Sequence, residues 1–189
     1  EFIIFETMNK KQRYILPSYL AKHRLIYLIT LLTKDNSFDE IDSLRKDINE
    51  VWKTVYEYIG KNSLSKIEDD TFLRDHWIMY FGKYNRESSS PERDFLLKKH
   101  FTVNRATLRQ SDRFPELKSF INDESEIKKH CLDYIDIKDY ISNLQKSIIS
   151  YYEMLNPIET EYNEEIKKWL SKINRLGFDT FKPLLMSVL

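Results

Sequence analysis

Between Ser37 and Gly60 the chain carries an apolar stripe with the period of a helix. Leu44, Ile48, Val51, Trp52, Val55, Tyr56 and Ile59 recur every third or fourth residue, which places them on one helical face. Both ends are signposted. Ser37-Phe38-Asp39-Glu40 is a capping box: the Ser oxygen takes a first-turn amide and the Glu carboxylate reaches back. Gly60 suits the stop. Glycine is otherwise confined to Gly82 and Gly177, each of which also follows an apolar-periodic segment. A β-rich or doubly wound fold needs more glycine for its turns. Three isolated glycines also build no phosphate loop and no dinucleotide fingerprint.

The same period recurs along the chain. Leu20, Leu25, Leu28 and Leu32 predict a helix that Pro17 suits at its first turn. Asp69 or Asp70 caps a predicted helix through Phe72, Leu73, Trp77, Ile78 and Phe81, with Gly82 after it. Ser90-Pro91 opens a short helix through Phe95, Leu96, Leu97 and Phe101. Residues 102–115 lack periodicity and are expected to be irregular. A long helix is predicted within 124–155 along Ile127, Cys131, Tyr134, Ile137 or Lys138, Ile141, Leu144, Ile148, Tyr151 or Tyr152, and Leu155, ended by Asn156-Pro157. Asn163 caps a helix through Ile166, Trp169, Leu170 and Ile173, closed by Gly177. Residues 179–189 start a last helix with Pro183 in its first turn.

Residues 2–5, Phe-Ile-Ile-Phe, form a short continuous apolar run. Such a run fits a strand buried on both faces, yet a strand cannot satisfy its backbone alone. The expectation is a mainly α chain, a bundle of about seven helices, with one N-terminal β-strand left from a truncated upstream α/β domain. Residues 1–14 are then a terminal strand and loop, and residues 15–189 one helical domain. The orphan strand is expected to pair with its copy in a homodimer.

The 189 residues are 41% apolar and 32% charged, the balance of a globular protein. A lone cysteine, Cys131, excludes an intrachain disulfide and a CxxC zinc site, and is the usage of an intracellular protein. A cytoplasmic location is expected. The longest apolar run, residues 25–32, is far shorter than the ~20 residues of a membrane span, so no membrane partner is expected. Net charge is zero but uneven. Lys10, Lys11, Arg13, Lys22, Arg24 and Lys34 precede the first acid that follows them, Asp35, while residues 116–165 are rich in acids. Basic blocks can track phosphates; they are more often solvated faces that pair with acidic segments.

Candidate chemistry is sparse. The densest polar cluster is Asp69-Asp70-Thr71-Phe72-Leu73-Arg74-Asp75-His76-Trp77. Asp69 and His76, seven apart, can share a helix face, but two possible ligands make a weak metal site. The structural reading is a capped helix start, with Arg74 pairing to the acid four residues before it. His23, His76, His100 and His130 belong to no HExxH or HxxxH arrangement. Cys131 sits on an apolar stripe, the place of an inert buried thiol. No catalytic residue and no metal ligand is assigned.

The order of several strings along the chain resembles the GmrSD-type restriction endonucleases, bacterial anti-phage proteins that cut modified DNA. These strings are Phe5-Glu6-Thr7-Met8-Asn9, Arg24-Leu25-Ile26-Tyr27-Leu28, the segment from Asp69 to Trp77, Phe95-Leu96-Leu97, Ile173-Asn174-Arg175-Leu176-Gly177-Phe178 and Pro183-Leu184. The resemblance implies a ParB-like domain with a DGQQR-type motif that uses nucleoside triphosphate, a helical middle, and an HNH nuclease domain. Neither the DGQQR-type motif nor the HNH histidines are in these residues. By this resemblance the chain is the helical middle, non-catalytic and without a cofactor of its own. The parent protein would use nucleoside triphosphate and divalent metal and would bind DNA. Asn9, Lys11, Lys22 and Arg24 are the implied nucleotide- or DNA-facing positions. Residues 10–18 depart from the family pattern, which reads Asn-Arg-Gly after Asn9. The competing reading is a helical interaction or scaffold domain with no part in DNA cleavage.

Overall fold

The computed structural model describes residues 17–32, 36–61, 69–81, 100–106, 132–177 and 179–189. These form six helices of seven residues or more and one single helical turn: α1 (Pro17–Leu31), α2 (Phe38–Lys61), α3 (Asp69–Phe81), the turn α4 (Val103–Ala106), α5 (Tyr134–Leu155), α6 (Glu164–Leu176) and α7 (Lys182–Val188). Short 3-10 turns at Pro157–Glu159 and Asp179–Phe181 lead into α6 and α7. The protein is thus mainly α. The expected strand at residues 2–5 and most of the expected short helix from Pro91 to Phe101 lie outside the described residues, as do Ile127 and Cys131; Phe101 itself is buried and non-helical.

Helix α2 forms as its sequence dictates. The Ser37 amide donates to Glu40 Oε2 at 2.8 Å, and the Glu40 amide donates to Ser37 Oγ at 3.3 Å. Asp39 and Glu40 lie in the first turn and Lys61 in the last, each favoured there by the helix dipole. Ile41, Leu44, Ile48, Val51, Trp52 and Val55 are buried. Tyr56, expected on this stripe, is exposed. At about 100° per residue it falls beyond the edge of the arc drawn by Leu44, Ile48 and Val55. The helix also runs one residue past Gly60 before the described segment ends.

Helix α5 is the centre of the assembly, packing on α2, α3, α6 and α7, while α1 lies across α2, α3 and α4. Its core face is Ile137, Tyr140, Ile141, Leu144, Ser147, Ile148, Tyr151 and Met154. The helix starts at Tyr134 rather than further upstream. Leu132 and Asp133 before it are non-helical, and the Asp133 amide donates to Asp136 Oδ2 at 2.8 Å, tying off the first turn. The Leu132 amide donates to the Arg105 carbonyl at 2.9 Å, which docks α4 to the start of α5. Residues 103–106, expected to be irregular, are therefore a helical turn held by a distant backbone partner.

The end of α5 is closed by tertiary contacts. Pro157 has no amide hydrogen and opens the 3-10 turn. Asn174 Nδ2, from α6, donates to the Met154 carbonyl at 2.9 Å. It thereby satisfies a carbonyl that the helix end leaves without an intrahelical donor. Helix α6 is capped by Asn163, whose Oδ1 accepts from the Ile166 amide at 2.9 Å, and ends at Gly177 with a left-handed φ of 66°. Among the described residues no helix is long and apolar enough to cross a membrane.

Trp52 is 1% exposed within this core. Trp52→Ala is expected to destabilise the fold by about 3–5 kcal/mol, whereas Tyr56→Ala stays within about 0.5 kcal/mol, as at surface sites. Urea unfolding of both variants measures the contrast, and equal costs would mean that the buried face is misassigned.

Candidate functional site

Two polar residues in the middle of α3, Asp75 and His76, point inward. Asp75 and His76 are consecutive, so they leave the helix in directions about 100° apart and reach two separate partners. Both are buried, with Phe72, Leu73 and Trp77 buried around them.

The Asp75 carboxylate accepts from Arg74 through Nη2 at 3.3 Å and Nε at 3.4 Å, and from the Tyr151 hydroxyl of α5 at 3.4 Å. Arg74 therefore pairs with the next residue rather than with Asp70, as the sequence suggested. The physical reason is that a buried carboxylate without a cation is far costlier than an exposed one. Burial nonetheless pushes the Asp75 carboxyl above its usual value, against the charges of Arg74 and Lys182 and the Tyr151 bond. Burial first, and the neighbouring Asp75 second, hold the Tyr151 phenol well above the ordinary range. Lys182 of α7 lies over the Tyr151 ring, 5.7 Å from its centroid, and pairs with Asp179 at 2.8 Å.

His76 is 0% exposed. Its Nε2 lies 3.1 Å from Asn143 Oδ1 of α5. An amide oxygen only accepts, so Nε2 carries the proton and Nδ1 does not. Ser147, one turn further along α5, donates to the Asn143 carbonyl at 2.8 Å and lies 3.3 Å from Asn143 Oδ1. The His76 ring is enclosed by Phe72, Tyr80 and Tyr140, with centroids at 6.1, 5.6 and 5.3 Å. Burial lowers the imidazole to about 4, with only partial opposition from the Asn143 bond. His76 Nδ1 and the Tyr140 hydroxyl have no hydrogen-bond partner among the described residues. Beyond Tyr140 the aromatic cluster continues through Phe81, Phe101 and His100, and Arg105 Nη1 lies 2.8 Å from His100 Nδ1.

This constellation is a sealed polar joint between α3 and α5. A neutral imidazole closed off by rings and one amide reaches no solvent-borne substrate. No hydroxyl or thiol nucleophile is placed against His76 Nδ1 among the described residues. Its chemistry is orientation, since each polar group accepts one register of the two helices. The sequence-level signal existed in part. Asn143 and Ser147 interrupt an otherwise apolar face of α5, as Asp75 and His76 interrupt that of α3.

Of the implied nucleotide- or DNA-facing positions, Lys22 and Arg24 lie on α1, apart from this joint. Both are half-buried. Two residues apart on a helix, they do not share a face. Burial lowers the Lys22 ammonium, and burial together with the Lys22 charge lowers His23, whose ring packs on Tyr19 with centroids 4.3 Å apart. Asn9 and Lys11 lie outside the described residues. Among the described residues no group of three His, Cys, Asp or Glu is placed to hold a metal ion. A shallow groove of about 280 Å³ between α2 and α5 is lined by Asp47, Glu50, Val51, Lys138, Ile141, Ser142 and Gln145. Ser142 is the one hydroxyl in this lining, and the lining contains no histidine. No protein-family model, no curated protein and no solved structure matches this chain.

The His76 imidazole binds its proton less readily folded than unfolded. Stability is therefore present above about pH 6.5 and falls as pH drops toward 4. From pH 7 to pH 5 the loss is expected to be about 2 kcal/mol. His76→Gln keeps an N–H donor for Asn143 and removes the titration, so the pH dependence should shrink by that amount. Asp75, whose carboxyl is raised, acts in the opposite sense at lower pH and cancels in this comparison. Urea melts of both proteins at the two pH values give the result, and identical pH dependence would refute a buried neutral His76. Chelator and added divalent ions should leave the melting temperature unchanged, because His76 Nδ1 is sealed among rings and no second and third ligand stand beside it among the described residues. Stabilisation by a metal that disappears in an Asp70→Ala/His76→Ala double variant would contradict this.

Proposed function

We propose that this chain is the helical, non-catalytic body of a GmrSD-type restriction endonuclease, set between a nucleotide-using ParB-like domain and an HNH nuclease domain. The observation that supports this reading is where the resembling segments lie. Those on α3 and α6 build the joints of the helical body. Asp75, His76 and Trp77 are buried between α3 and its neighbours, and Asn174 closes the end of α5. A nucleotide-dependent switch needs a stiff body to carry its state to a nuclease, and helices locked by packing and by buried polar contacts provide one. In this reading nucleoside triphosphate, divalent metal and modified DNA are bound by the flanking domains of a cytoplasmic parent protein. Asn9, Lys11, Lys22 and Arg24 then lie on the side toward the nucleotide-using domain.

Sequencing the locus around these codons tests the proposal directly. A DGQQR-type motif on the 5′ side and an HNH pair on the 3′ side are expected, and a reading frame with neither overturns it in favour of a helical scaffold. The purified chain is expected to turn over neither nucleoside triphosphate nor DNA. Turnover that survives repurification would remove the non-catalytic assignment.

A further inference from the structure

Helix α6 carries an apolar stripe of Ile166, Trp169, Leu170, Ile173 and Leu176. Leu170 is buried and Ile173 half-buried, while Trp169 is 56% and Leu176 65% exposed. At about 100° per residue, Trp169 and Leu176 fall close to one line along the helix, about two turns apart. A row of cations runs beside that line. Lys168, Lys172 and Arg175 are all exposed, and their spacing makes them neighbours on the helix surface. From Lys168 to Leu176 the helix holds no acid. Before that stretch, Glu164 is paired with Lys167 at 3.1 Å. None of the three cations makes an ion pair among the described residues. Lys172 lies over the Trp169 ring, 4.4 Å from its centroid, and Arg175 Nε lies 3.5 Å from the Ser171 carbonyl oxygen. Like charges at these spacings repel one another. The helix dipole favours cations only in the last turn, which accounts for Arg175 and not for Lys168.

We propose that this edge docks an acidic amphipathic segment of another protein, with its apolar side chains on Trp169 and Leu176 and its carboxylates on Lys168, Lys172 and Arg175. An exposed apolar line and an unpaired cationic row lie side by side, and this occupant complements both. Apolar anchors three, four or seven residues apart are how amphipathic segments engage such an edge, and Trp and Arg are the side chains that most often dominate binding there. A nucleic acid would complement the cations but leave Leu176 in water, and Lys172 already covers one face of the indole on which a base would stack. An anionic bilayer would complement both features, but its flat surface would also meet Glu165, which lies one turn before Trp169 on the same side of the helix. A second copy would bring the same cationic row to the contact. A short acidic segment avoids all three conflicts. Residues 168–176 rise by about 12 Å, so the contact covers about two turns. It is therefore small, weak and salt-sensitive.

A displayed library of random short peptides, selected on the whole immobilised chain and counter-selected on its Trp169→Glu variant, reads the specificity. Enriched sequences are expected to carry several Asp or Glu beside apolar residues three or four apart. Trp52 and Trp77 are buried, so a synthetic peptide of the consensus should change mainly the Trp169 fluorescence, with a Kd that rises at least several-fold from low to high salt. Lys168→Glu/Lys172→Glu should abolish this binding and Lys168→Arg/Lys172→Arg should keep it, both with an unchanged thermal melt. Selection that enriches nothing over the Trp169→Glu variant overturns the inference. So do enriched peptides that are neutral or basic, or binding that survives the charge reversal. Trp169-dependent binding to phosphatidylserine vesicles or duplex DNA that is tighter than binding to the peptide overturns it in favour of a lipid or nucleic-acid partner. Self-association in sedimentation velocity that Trp169→Glu removes overturns it in favour of a second copy.

Discussion

The structure depends on helix α5 being covered on several sides at once. It packs on α2, α3, α6 and α7, so its sequence must serve different neighbours along one cylinder. Toward α2 the demand is met by plain apolar packing, Ile141, Leu144 and Ile148 against the stripe from Ile41 to Val55. Apolar contact of this kind favours burial but does not strongly select one register, because hydrophobic attraction has little direction. Direction comes from the polar residues on the side toward α3.

There the cost of desolvation does the selecting. Asp75, His76 and Ser147 are buried and Asn143 is partly so. A buried polar atom that loses its partner costs about 1–3 kcal/mol, so sliding α3 along α5 by a turn would break the His76–Asn143 and Asp75–Tyr151 contacts together. The joint is not fully satisfied even as it stands. His76 Nδ1 and the Tyr140 hydroxyl have no partner among the described residues, and the rings around them exclude water. The imidazole is accordingly held neutral. The same burial that makes the joint specific makes it sensitive to acid.

The remaining surface divides into parts with different work. Helix α1 carries partly buried basic residues, and α6 presents an exposed apolar edge with acidic and basic residues beside it. A helical body between two functional domains would need a rigid interior and surfaces of this kind.

Local rules were legible in the amino-acid sequence. The Ser37–Glu40 capping box, the Asn163 cap, the Gly177 stop and the Asn156-Pro157 break are interactions within a few residues, and they occur where the pattern places them. The helical class followed from apolar period and scarce glycine. Exposure at the edges of a stripe was not legible. Trp169 obeys the helical period yet faces solvent, because period fixes a residue's angle on its helix and not how far the neighbouring helix extends. The turn at residues 103–106 escaped for a similar reason, since its docking bond comes from Leu132. The sequence by itself determined that the long described segments are helical and where α5 and α6 stop, because those outcomes rest on contacts between near neighbours in the chain. Only the tertiary structure decided that Arg74 serves Asp75, that Asn143 orients His76 and that Asn174 finishes α5. Those partners are brought together by packing, and the side chains alone do not announce them.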